Sequence, residues 1–162
     1  MKTEPTTPKK VLKSKWRWTL IGLFLLMTVF VKAYTTWYWP KAEIVLGGQT
    51  LNVLVAKYPW QWEKGLGDRK ALGKYDGMLF LFPKVEQHAM VMRDMRFPLD
   101  IVWLSRGTVV DIAPNVPIQP NVPEEELRVY MGRLPSNMVL ELPAGKAKEW
   151  GLKIGDKLSV RP

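Results

Sequence analysis

A chain of 162 residues with 24 Lys plus Arg, 15 Asp plus Glu, one His and no Cys has room for one ordinary domain and an appendage. The absence of cysteine excludes disulfides, thiol nucleophiles, cysteine-ligated zinc, iron–sulfur clusters and a lipoprotein anchor, and the lone His88 excludes a multi-histidine metal site. The formal charge of +9 sits at one end: residues 1–42 hold eight basic side chains against Glu4, a balance of +7, whereas residues 43–162 hold sixteen against fourteen, a balance of +2.

The first element is apolar. Between Arg17 and Lys32 lie fourteen uncharged residues, WTLIGLFLLMTVFV, which as a helix rise about 21 Å. Counted from Trp16 to Trp39 the rise is about 36 Å, enough to cross a hydrocarbon core of roughly 30 Å. Trp16, Trp18, Trp37, Tyr38 and Trp39 then fall at its two ends, where amphipathic rings occupy the bilayer interfaces. Lys32 is near enough to one end for its stem to reach the headgroups. Six basic residues precede the run and two follow it closely, so residues 1–15 are expected in the cytoplasm, 16–39 across the cytoplasmic membrane, and 43–162 outside as an exported domain. The alternative is a cleaved signal peptide with its cut near Ala33, giving a secreted product.

Beyond Pro40 the pattern shortens. Glu43 to Leu46 and Gln49 to Ala56 read as strands joined by a Gly47-Gly48 turn, and Pro59 opens a helical stretch, WQWEKGL. GMLFLF from Gly77 is too short for a helix and too apolar for a solvated edge, so it is a central strand; Ala89 to Met92 is another strand. Leu99 to Leu104 and Thr108 to Ile112 flank Ser105-Arg106-Gly107 as a hairpin. Prolines 114, 117, 120 and 123 stand three apart, the repeat of polyproline II, and predict an extended stiff connection. Met138 to Leu142 is a strand, Pro143 starts a helix AGKAKEW that Gly151 ends, and Lys157 to Val160 is a last strand. The sum is α+β: a mostly antiparallel sheet curled toward a barrel or sandwich, two short helices, and one amino-terminal transmembrane helix.

Four segments together, EKGLGDR (63–69), DGMLFLFP (76–83), MVMRDMRFPLDIVWLSRGTVVDI (90–112) and VLELPAGKAKEWGLKIGD (139–156), resemble the domain of unknown function 192 in order and spacing. The resemblance spans about residues 50–160 and implies a small β-rich domain, often exported, with no established biochemical role. Members usually carry GLM-x-R where this chain has Gly67 followed by Asp68 and Arg69, and an aromatic-Trp-Met-Lys-Asn run where it has Val91, Met92, Arg93 and Asp94.

The residues available for chemistry are few. Arg93, Asp94 and Asp100 bracket Met95-Arg96-Phe97-Pro98, and with Arg69 they are the candidate ligand-binding set, suited to a small anionic ligand. Asp100, inside an apolar run, must be paired or hydrogen-bonded if buried; it is either a capping carboxylate or a catalytic base. His88 with Ser105 or Ser136 lacks any local signature of a nucleophilic site. Glu124-Glu125-Glu126 reads as a solvated turn rather than a calcium loop. The near-neutral domain argues against nucleic acid, the tail charge being explained by topology and anionic lipid. No cofactor and no metal are called for. Two readings follow: a binding or assembly module of the cell envelope, partnered by the lipid bilayer and by an envelope protein or small ligand; or a hydrolase or lyase-type enzyme acting on an envelope saccharide or peptide through Asp100.

Overall fold

The computed structural model describes residues 13–161, without the side chains of residues 13–15 and 35–37. The basic tail lies almost wholly outside the described residues, and so does the side chain of Trp37. The chain divides into two compact units, residues 1–38 and 39–162.

Within the first unit, Lys13–Trp37 form one helix, α1. No proline interrupts it, and Gly22 is the one glycine between Trp16 and Tyr34. That window of 19 residues has a mean hydropathy of 1.4, long and apolar enough to cross a membrane, as a signal sequence also is. Its apolar side chains, Leu20, Phe24 and Phe30 among them, are exposed. Tyr34 stacks on Tyr38 with ring centroids 4.9 Å apart, one helical turn on.

The second unit is built on a seven-stranded sheet in the order β6 (Thr108–Val116), β5 (Leu99–Ser105), β8 (Ser136–Pro143), β3 (Gly77–Glu86), β2 (Gln49–Ala56), β1 (Lys41–Leu46) and β9 (Ser159–Val160). Strands β1 (Lys41–Leu46) and β2 (Gln49–Ala56) form a hairpin whose turn, Gly47-Gly48, has φ of +58° and +77°, the left-handed values a two-residue turn of this kind demands. Helix α2 (Pro59–Lys64) carries the chain back over the sheet, so that β3 (Gly77–Glu86) lies parallel to β2. Every other pairing in the sheet is antiparallel. The parallel pair is a departure from simple up-and-down order, and the long crossover of residues 57–76 is its physical requirement.

Strands β5 (Leu99–Ser105) and β6 (Thr108–Val116) make the expected hairpin around Arg106-Gly107, and β8 (Ser136–Pro143) inserts between β5 and β3. Helix α3 (Lys146–Glu149) and strand β9 (Ser159–Val160) end the fold. The two ends of the sheet approach each other. Amides of Val109, Gly155 and Leu158 donate to carbonyls of Asp156, Val109 and Gly107 at 2.7–2.9 Å, linking β6 to the segment leading into β9.

Period-two alternation sorts the side chains into two cores. Ile44, Leu46, Val53, Leu79, Val102, Leu104, Leu140 and Leu142 fill the inside of the curl with Ala147 and Leu152. Leu54, Ala56, Met78, Phe80, Ile101, Trp103 and Val139 point to the outer face, where Leu66, Leu72, Met90, Met92 and Met95 cover them from the loops.

Several expectations shift. Of Ala89 to Met92 only Ala89–Met90 is a strand, β4, and it pairs with β7 (Tyr130–Met131) in a separate ribbon. The proline segment is not a polyproline helix: β6 runs on to Val116, and Asn115 and Asn121 take φ of +53° and +60°, which that helix excludes. Pro143 closes β8 instead of opening α3, whose start is set by Gly145 at φ +89°. Glu124–Glu126 form a single 3₁₀ turn.

Candidate functional site

The four residues singled out by sequence do not converge. Asp100 is fully buried on the inner face of β5, between Leu99 and Ile101 of the outer core. Its Oδ1 accepts from the amides of Asn115 (2.8 Å) and Gly145 (3.1 Å), its Oδ2 from that of Ala147 (2.7 Å). These amides belong to the end of β6 and the start of α3, so the carboxylate is a structural pin between them. A side chain with both oxygens engaged by backbone and no exposure cannot act as a base on a substrate.

Arg69 stacks over the Trp39 ring, 5.1 Å from its centroid, and Trp39 meets Trp60 edge-on at 5.7 Å. Burial lowers the Arg69 guanidinium from its ordinary value, short of discharging it. Trp39, grouped by sequence with the interfacial aromatics, is half-buried against the outer core of the domain.

Arg93 ties three segments together. One terminal nitrogen donates to the Glu63 carbonyl at 2.9 Å, the other to Glu124, and Nε is buried without a partner. Asp94 sits at φ +53° and its carbonyl accepts from the Asp68 amide at 2.9 Å. Gly67 is fitted to this loop: a Cβ there would lie 3.1 Å from the carbonyls of Arg93 and Lys64.

Arg93, unlike Asp100, borders a pocket. The cavity, about 380 Å³, opens on the outer face of the sheet between the end of α2 and the segment 89–95. Trp62, Leu66, Phe80, Phe82, Met90 and Met95 give it an apolar and aromatic wall. Trp62 and Phe82 hold each other with centroids 5.2 Å apart, the indole N–H donating to the Ala56 carbonyl at 3.2 Å. His88 stacks on Phe82 at 3.8 Å, a support for the wall rather than a partner of a serine. The helix that carries Trp62 is fastened by buried Gln61, whose Oε1 accepts from the amides of Lys57 (2.8 Å) and Tyr58 (3.2 Å).

The floor of this pocket holds a residue the sequence reading passed over. Glu141, in the middle of β8 opposite Met78 and Ile101, stands two residues from Val139 and so shares its face toward the outer core. It is 4% exposed, its Oε2 has no hydrogen-bond partner, and burial pushes its carboxyl up to about 8. At neutral pH the group is therefore an uncharged acid, able both to donate and to accept. Its signal was legible: the charge in Val139-Leu140-Glu141-Leu142 stands within an apolar strand, as that of Asp100 does in its own. The difference is that Asp100 is saturated by backbone amides and Glu141 is not.

The fold and the pocket together define a small α+β domain: a curled seven-stranded sheet with an aromatic-walled, acid-floored cavity on its outer face. The chain belongs to the DUF192 family, described as Uncharacterized ACR, whose model matches residues 42–160. Among solved structures it is similar to that of a candidate transcription regulator from Sinorhizobium meliloti, at 31% identity and a TM-score of 0.66, covering 75% of this chain and 95% of the other. It is also similar to a protein of unknown function from Novosphingobium aromaticivorans, at 28% identity and a TM-score of 0.64, covering 74% and 84%. No curated protein matches the chain.

Proposed function

We propose that this protein is a membrane-tethered binding module, with α1 as the anchor and the pocket over Glu141 as the seat of a small ligand outside the cytoplasmic membrane. The single observation that carries the binding reading is the buried Glu141 carboxyl with an unpartnered oxygen at the base of an aromatic-walled cavity. A polar atom left in that state costs about 1–3 kcal/mol, which a ligand supplying the missing partner recovers. The cavity volume lies within the ordinary range for small-molecule sites of about 300–1,000 Å³. The anchor reading is supported by the basic flank, the apolar window of 19 residues and the rings at its ends.

The test is a ligand screen by thermal shift on the full chain in detergent, paired with Ala89→Trp. Ala89 is exposed and lines the cavity mouth, so the indole fills the mouth without disturbing the core. Ligands that stabilise the wild type and not this variant, with the melting temperature of the free variant unchanged, support the reading. Ligands that stabilise both equally place the binding site elsewhere.

A further inference from the structure

The charges around the cavity select among ligand chemistries. Four charged residues line it: Glu63, Lys64, Arg93 and Glu141. The two cations each hold an acid, Lys64 pairing with Asp68 at 2.6 Å and Arg93 with Glu124, and of their nitrogens the Arg93 Nε is buried without an acceptor. Arg96 also leans on Asp68, at 3.6 Å. The acids are not neutralised: Glu63, exposed at the rim, forms no ion pair among the described residues, and the carboxyl of Glu141 meets no donor at Oε2. Between rim and floor stand the rings of Trp62, Phe80 and Phe82, whose faces are negative, and the polarisable sulfurs of Met90 and Met95.

From this arrangement we infer that the pocket binds an organic cation: an apolar, ring-sized body carrying one protonated amine that reaches the Glu141 carboxyl. This rests on the pocket reading above and adds the sign of the ligand's charge. Binding then involves a proton. The ammonium keeps its own, Glu141 gives its proton to solvent, and the complex holds an ammonium–carboxylate pair walled by aromatic rings. An anion finds only the Arg93 Nε, on a guanidinium already paired with Glu124, and a neutral ligand satisfies Oε2 and stacks on the rings but gains no charge attraction from Glu63 or from the ring faces.

The experiment is titration calorimetry on the full chain in detergent with three probes of one shape: 2-phenylethylamine, 2-phenylethanol and phenylacetate. Each is run at pH 6.5 and 9 in two buffers of different protonation enthalpy. The amine is expected to bind at millimolar concentration or better and to release about one proton per site at pH 6.5 and almost none at pH 9. Its affinity should rise about tenfold per pH unit across the acid side of the Glu141 titration. Glu141→Gln, close in shape, should weaken the amine roughly tenfold or more at pH 8.5 and abolish proton release. Should that variant fail to fold, the proton count and probe order on the wild type still decide. Equal or tighter binding of the alcohol or of phenylacetate, sensitive to Ala89→Trp, would overturn the cation inference and leave the pocket reading standing. Amine binding without proton release, or no binding of any probe, overturns it as well.

Discussion

The Oδ2 atom of Asp100 accepts a 2.7 Å hydrogen bond from the amide of Ala147, 47 residues further along the chain. Through this bond and the two on Oδ1, one buried carboxylate fixes the start of α3 and the end of β6 against β5. Asp100→Asn replaces one acceptor oxygen by a donor facing an amide. It should cost about 2–4 kcal/mol, since charged hydrogen bonds contribute about 1.5–3 kcal/mol each and one is turned repulsive. Urea denaturation followed by tryptophan fluorescence measures this. Ligand binding over Glu141, on the opposite face of the sheet, should be unaffected wherever the variant is folded; a lost site with intact stability would return Asp100 to a functional role.

Gly132 passes over Trp103 so closely that a Cβ there would lie 2.8 Å from the indole Cγ. Trp103 cannot retreat: it is 1% exposed, and its N–H donates to the His88 carbonyl at 3.1 Å. The loop is held in turn by Gln87, whose amide donates to the Gly132 carbonyl at 3.3 Å. Gly132→Ala should therefore cost about 1–3 kcal/mol, as overpacking does, and alter the fluorescence of the buried indole. Unchanged stability would mean that the 130–134 segment shifts away freely.

What the sequence made legible followed from short-range chemistry. The Gly47-Gly48 and Arg106-Gly107 hairpins, the buried run from Met78 to Phe80 and the helix opened by Pro59 are set by local turn geometry and alternation, and all are found. The parallel β2–β3 pairing was not legible, because strand partners depend on where a crossover lands. Nor was the proline segment, where spacing suggested one conformation and two asparagines in left-handed geometry imposed another. At the site, Asp100 and Glu141 carry the same sequence signal, a carboxylate within an apolar strand. Only three-dimensional placement shows that amides from β6 and α3 reach the first and that an oxygen of the second is left without a partner. Arg69 and Arg93 looked like free cations, yet one stacks on Trp39 and the other is held by Glu124 and the Glu63 carbonyl.

The anchor proposal predicts where the domain lies. With six basic residues before the apolar run, external protease added to spheroplasts should digest residues 43–162, while the full chain stays with the membrane through alkaline carbonate washing. Mass spectrometry of the mature amino terminus distinguishes the two fates of the helix. A terminus at Tyr34 reports cleavage after Ala33 and a released domain; an uncleaved terminus with a digested domain reports the anchor. A domain protected from protease reverses the orientation.

Glu141 makes stability depend on pH in a direction opposite to that of most carboxylates. Its carboxyl is raised from an ordinary 4.5 to about 8 by burial, so the folded state binds one more proton than the unfolded state between those values. The native state is stabilised by acid relative to base in that window: stability is full below about pH 4.5, falls by about 1.4 kcal/mol per unit as pH rises, and levels off above about 8. The whole loss is at most about 5 kcal/mol, and is smaller if water enters the cavity once the carboxylate forms. Two other shifted carboxylates do not overlap this window. At Asp68, bonding and attraction to Lys64 and then Arg96 hold the carboxyl below the usual range. At Asp111, burial pushes upward but is outweighed by Arg133 and the amides of Arg133 and Ile112. Both contribute stability that is lost only as pH falls below about 4. Denaturation midpoints from pH 5 to 9 should therefore decline in the wild type and stay level in Glu141→Gln, the variant becoming the more stable of the two at pH 9. A wild-type midpoint that is flat or rising across that range would mean that the Glu141 carboxyl is already ionised in the folded protein.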